Sequence, residues 1–143
     1  MKKLLILLSL TTAMTAFGAP HGNTEEAATM NVTATVIKPL TIVKTGDMDF
    51  GNIIQGTNTT TADSGYTITG EKGQPIIVTI DDSVSLSNAM SKTPLVVGIK
   101  TQLPNSLDKD GNANVSVQGF LTVPNNQTVG TYTGTLTARV QYQ

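Results

Sequence analysis

The chain of 143 residues has no cysteine and no tryptophan, one histidine, and only three tyrosines and three phenylalanines. Without cysteine it forms no disulfide and offers no thiolate to a metal, so stability has to come from packing or from a partner. His21 is the lone imidazole. It has no second histidine with which to share a metal, and sitting near the start of the chain it is a poor base for a serine nucleophile. Charge is sparse as well, at 13% of residues, and no cluster of Lys and Arg supplies the footprint that nucleic acid requires. No helical period runs through the chain after its first twenty residues.

The one sustained apolar run lies at the front. Lys2 and Lys3 precede Leu4 to Leu10, and small residues follow. This order reads as a secretory signal peptide over residues 1–18, too short to span a bilayer. Ala16-Phe17-Gly18 supplies a small-x-small cleavage site, leaving about 125 residues from Ala19 onward, enough for a single domain. Without Lys2 and Lys3, seven basic residues face ten acidic ones, a formal charge of −3.

Beyond that point Val, Ile and Thr recur in short runs broken by Gly, Asn, Asp and Pro, the pattern of successive strands. The runs predict strands over 30–37, 40–44, 50–54, 66–69, 75–80, 95–102, 114–123 and 131–143. Seven or eight short strands in a domain of this size imply an all-β, two-sheet β-sandwich. Residues 56–65, GTNTTTADSG, read as a polar loop or ragged edge, and 82–93 as a segment with room for a short helix. Asp108-Lys109-Asp110-Gly111-Asn112 and Pro124-Asn125-Asn126 carry turn chemistry.

Both ends of the domain alternate apolar and polar side chains. Met30, Val32, Ala34 and Val36 share one face of an extended MNVTATV segment, preceded by a small and polar arm. Leu136, Ala138, Val140 and Tyr142 share one face of the last strand, and Tyr132 falls on the same side.

Few residues suggest chemistry. Asp49-Phe50-Gly51 spells the metal-binding triplet of protein kinases, but every other part of that machinery is absent, so Phe50 reads as core and Gly51 as a turn. Asp108, Asp110 and Asn112 stand at alternate positions like the first ligands of a calcium loop. The sixth and twelfth positions hold Ala113 and Gly119 where an EF-hand needs Gly and Glu, so a hairpin turn accounts for them better. Asp81 and Asp82 are sequence neighbours and point to opposite faces of a strand, a poor acid–base pair. Asn31, Asn58, Asn114 and Asn126 open N-x-S/T triplets, as chance produces in a chain rich in Asn and Thr. Nothing supports an enzyme, a metal or a cofactor.

The final strand resembles the C-terminal signature of bacterial chaperone–usher pilins: a penultimate tyrosine, here Tyr142; alternating apolar residues Val140, Ala138 and Leu136; and a glycine fourteenth from the end, here Gly130. NVTATVIKPL is similar to the mature N-terminus of colonisation-factor pilins. It also resembles a broad group of uncharacterised exported domains that pair this opener with a D-F-G turn and a GTYTGT ending. One departure is plain: many pilins carry a disulfide, and this chain cannot.

The resemblance implies an immunoglobulin-like sandwich over 38–143 that lacks its last strand, with residues 19–37 as an N-terminal arm. It implies a fimbrial structural subunit supporting adhesion, delivered through the periplasm to the cell surface. The donor side chains would be Met30, Val32, Ala34 and Val36. The acceptor groove would be walled by the strand carrying Gly130, Tyr132, Leu136, Ala138, Val140 and Tyr142. The implied partners are other copies of the chain arranged head-to-tail, a periplasmic chaperone, an outer-membrane usher, and a host receptor or glycan. The residues leave a second reading open, in which the arm folds back in cis to give a self-complemented monomeric binding module or minor adhesin.

Overall fold

The computed structural model describes residues 22 and 25–143. The expected signal peptide, its cleavage site and His21 lie outside them. The chain forms two units, residues 1–34 and 35–143. In the first, the described residues carry no helix or strand, and Met30 and Val32 are each 86% exposed. The strand expected over 30–37 is therefore not formed: a strand exists through its ladder, and these residues hydrogen-bond to no neighbouring strand.

The second unit is all-β, with seven strands among the described residues: β1 Thr41–Lys44, β2 Thr60–Thr69, β3 Ile76–Ile80, β4 Ser83–Leu86, β5 Leu95–Gln102, β6 Asn112–Leu121 and β7 Ala138–Tyr142. They form two antiparallel sheets, one of five strands in the order β1-β2-β6-β5-β4 and one in which β3 pairs β7. Along β6 the pattern is strict. Ala113, Val115, Val117 and Leu121 are buried, while Asn112, Asn114 and Ser116 face out. The two sheets meet through these residues, since Ile68, Val115 and Val117 of the larger sheet form one core with Ile76 and Val78 of β3. The second unit is thus a β-sandwich. A second core, Leu95, Val97, Leu121 and Val123, lies toward the other end.

Three local expectations are corrected. Residues 60–65 form no loop but the first half of β2, in register from Thr60 opposite Leu121 to Gly65 opposite Ser116. The stretch looked polar because Thr61 and Asp63 face solvent, where Gln118 donates to Asp63 at 2.9 Å. Residues 82–93 contain a strand instead of a helix. Val84 and Leu86 turn inward between exposed Ser83 and Ser85, a period of two. Residues 50–54 form no strand; Gly51 takes a φ of +65° and its N–H donates to the Asp49 carboxylate at 2.8 Å. Phe50 and Gly51 are core and turn as the sequence predicts, Phe50 packing half-buried on the second core.

The last strand is shorter than expected. Only residues 138–142 find a continuous partner, in β3, and upstream a single bridge joins Thr133 to Ser87. Its inward residues still alternate: Tyr132, Leu136, Ala138, Val140 and Tyr142 are all half-buried between exposed neighbours.

Candidate functional site

A groove of about 1270 Å³ opens in the second unit, between residues 46–53 on one side and 130–136 on the other. Its floor is apolar and reaches Val97, Val117 and Leu121, among the most buried side chains of the domain. Pockets for small ligands hold roughly 300–1,000 Å³ and converge a few polar groups on the ligand. This groove is larger. Its charged lining includes Lys44 and Asp47, which pair with each other and stand exposed.

The first wall follows from a pair of small residues. Ala62 of β2 stands opposite Gly119 of β6, leaving a recess in the inner face of the large sheet. Met48 and Phe50 fill it: a Cβ on Gly119 would lie 2.8 Å from the Phe50 ring. The second wall lies equally close to its neighbour. A Cβ on Gly134 would stand 2.6 Å from the Ser85 carbonyl oxygen, so only glycine lets this segment approach β4.

The second wall continues into β7, whose only strand partner among the described residues is β3. Backbone groups along an edge strand point alternately to its two sides. Thr133 exchanges hydrogen bonds with Ser87, and the Gln143 N–H donates to Pro75. In β7 the odd-numbered residues therefore face β3, as Thr133 upstream faces Ser87 at the end of β4, and the N–H and C=O groups of Ala138, Val140 and Tyr142 point the other way. The Leu136 carbonyl obeys this parity, accepting from the Tyr66 hydroxyl at 3.2 Å. The groove is thus an apolar trough walled by residues 130–136, the segment that leads into the free edge of β7.

The two walls meet at each end of the trough. At one end Ser64 and Tyr66 of β2 donate to the carbonyls of Gly46 and Leu136. At the other, the Gln55 amide donates to the carbonyl of Gln127. Gln127 is 5% exposed, and its side-chain N–H groups donate to Thr93 and to the Tyr132 hydroxyl at 2.8 and 2.7 Å. Tyr132 in turn donates to Thr128 at 2.8 Å.

Of the residues predicted to wall an acceptor groove, Gly130, Tyr132 and Leu136 line it. Ala138, Val140 and Tyr142 do not. They lie further along the same strand, where Val140 and Tyr142 pack on the first core. The Tyr142 hydroxyl donates to the Lys38 carbonyl and accepts from the Glu71 N–H, both at 2.7 Å. Of the predicted donor residues, Met30, Val32, Ala34 and Val36 are exposed, Val36 at 95%.

Sequence reasoning missed the first wall and the floor. Met48, Phe50, Ile53, Val84 and Leu86 belong to the groove, and their one visible signal was an apolar residue on each side of the Asp49-Phe50-Gly51 turn.

The remaining chemical candidates stay apart. Asp81 and Asp82 are exposed between β3 and β4. Asp108 accepts the N–H groups of Asn112 and Asp110 at 2.8 and 2.9 Å, so this carboxylate caps the turn that leads into β6. Those bonds, Asn112 first, hold its carboxyl below the usual carboxylate range. Among the described residues no three of His, Cys, Asp and Glu gather to hold a metal.

The sequence profile described as Domain of unknown function (DUF4402) matches residues 55–142, which span β2 to β7 and the second wall of the groove. No curated protein and no solved structure matches the chain.

Proposed function

The chain belongs to the family of the Domain of unknown function (DUF4402), and for this member we propose a mechanical role: a structural subunit of a surface fimbria that polymerises by strand donation. The observation that carries this reading is the open apolar groove walled by the segment that leads into the unpaired edge of the last strand. An extended segment laid there gains backbone hydrogen bonds from the edge and pockets for its alternate side chains. Residues 30–36 of another copy fit those needs, with Met30, Val32, Ala34 and Val36 on one face. On this reading the sandwich is immunoglobulin-like and its last strand comes from a neighbour.

Full burial of Met30, Val32 and Val36 would contribute roughly 5–9 kcal/mol before ordering costs. That approaches the whole stability of a small domain. An uncomplemented subunit would then be marginal, and its free edge would pair indiscriminately. This is the physical need that a periplasmic chaperone and an outer-membrane usher would meet. Because arm and groove are different surfaces, the contact is head-to-tail and propagates into a filament. Export, display at the cell surface and binding of a host receptor or glycan belong to the same proposal.

The test is co-expression with a chaperone and usher, followed by size-exclusion chromatography and electron microscopy. Filaments of repeating subunits are expected. A stable monomer of residues 19–143 that survives dilution and does not need its arm would overturn the proposal. A monomer that survives dilution only with its arm would favour insertion in cis.

A further inference from the structure

We propose that the bridge from Gln55 to Gln127 is a register stop, which decides how far a strand entering the groove can advance. This rests on the reading of the groove as the receiver of residues 30–36.

A donor segment of this composition does not specify its own register. A slip of one residue would turn every apolar side chain to the wrong face, so alternation forbids it. A slip of two keeps the faces. Continuing the series toward the N-terminus brings Ala28 in place of Met30, and charge appears only at Glu26. A slip of two that brings in Ala28 therefore costs little more than one apolar side chain, whereas the opposite slip is opposed by Lys38, and the groove has to choose against the former.

The bridge is built for that choice. The walls run antiparallel, residues 46 to 55 against 136 to 127, and Gln55 crosses from one to the other at the end away from Tyr66 and Leu136. Both of its anchors are fixed. Just after Gln55, Gly56 and Thr57 exchange backbone hydrogen bonds with Val123, and the Gln127 N–H donates to Pro124. The Gln127 side chain is buried with its amide N–H groups on Thr93 and Tyr132. A backbone passing this point must break the bridge, leaving the Gln55 amide and the Gln127 carbonyl without each other. Gln55 itself is exposed, so the crossbar can be removed without opening the core.

The absence of cysteine makes register measurable. Full-length chains carry one cysteine in place of Leu136 and a second at position 30, 32, 34 or 36. They are oxidised, and the disulfide yield of each pair is measured, whether it forms within a chain or between chains. With Gln55 present, one arm position should cross-link about tenfold more than the others, the selectivity that one hydrogen-bonded barrier supplies. With Gln55→Ala, and equally with Gln55→Glu, which keeps the length but loses the donated N–H, that preference should collapse or move by two residues. The same dominant position in all three proteins would overturn the register stop while leaving the groove reading intact. No cross-link from any arm position would overturn both.

Discussion

The hydroxyl of Tyr142 donates to the carbonyl of Lys38 at 2.7 Å, tying the last strand to the point where the arm joins the domain. It also accepts the Glu71 N–H, while the Glu71 carboxylate accepts the Lys38 N–H at 3.2 Å. Both backbone groups of Lys38 are thereby held. Tyr142→Phe keeps the ring and strips two hydrogen bonds, at a cost of about 1–2 kcal/mol, or roughly 5–10 °C in Tm. Calorimetry of the single variant checks this, and an unchanged Tm would contradict it.

Gly134 and Gly119 should respond differently to alanine. At Gly134 the new Cβ meets the Ser85 carbonyl 2.6 Å away, and backbone yields only by moving a strand, so a loss of about 1–3 kcal/mol is expected. At Gly119 the nearest obstacles are the Met48 and Phe50 side chains, which line the groove and have room to shift, with a Val97 methyl behind them at 3.1 Å. Gly119→Ala should lose less stability and more assembly. Urea denaturation measures the first quantity and sedimentation of polymer the second.

Val32→Asp and Val140→Asp separate arm from core. Val32 is 86% exposed, and its change should block polymerisation without lowering the unfolding midpoint of the chaperone-bound subunit. Val140 packs on the first core, and a carboxylate there should abolish the folded subunit. Circular dichroism with chromatography distinguishes the two, and equal loss of folding in both would favour the self-complemented monomer.

Asp108 predicts a pH dependence. Its folded carboxyl titrates below the ordinary value because the N–H groups of Asn112 and Asp110 bond to the charged form. A depressed folded pKa contributes stability that is present above the unfolded pKa of about 3.9 and is lost as pH falls through the folded value. Wild type should therefore exceed Asp108→Asn in unfolding midpoint at neutral pH, and the gap should narrow as pH drops below about 4. A gap that is constant from neutral to acid would sink the assignment.

The strands that were easiest to read were those with partners on both sides or a strict alternation. Residues 95–102 form β5 with the predicted bounds, and 75–80 nearly so as β3. Errors gathered where pairing, not composition, decides. Residues 60–65 look like loop and become strand because β6 supplies a ladder in register. Residues 30–37 look like strand and remain unpaired. The Asp108 turn follows directly from its residues, because an aspartate carboxylate reaches N–H groups two and four positions ahead without help from the rest of the chain.

By itself the sequence determined the all-β class, the inward face of the last strand and the turns, because these depend on side-chain period and local backbone preference. Only the tertiary structure decided that Ala62 and Gly119 lie opposite each other, that Met48 and Phe50 fill the recess between them, and that Gln55 reaches Gln127 across 72 residues. Those relationships depend on strand register and on two walls converging from distant parts of the chain. Neither quantity is encoded in any single segment, and together they make the groove.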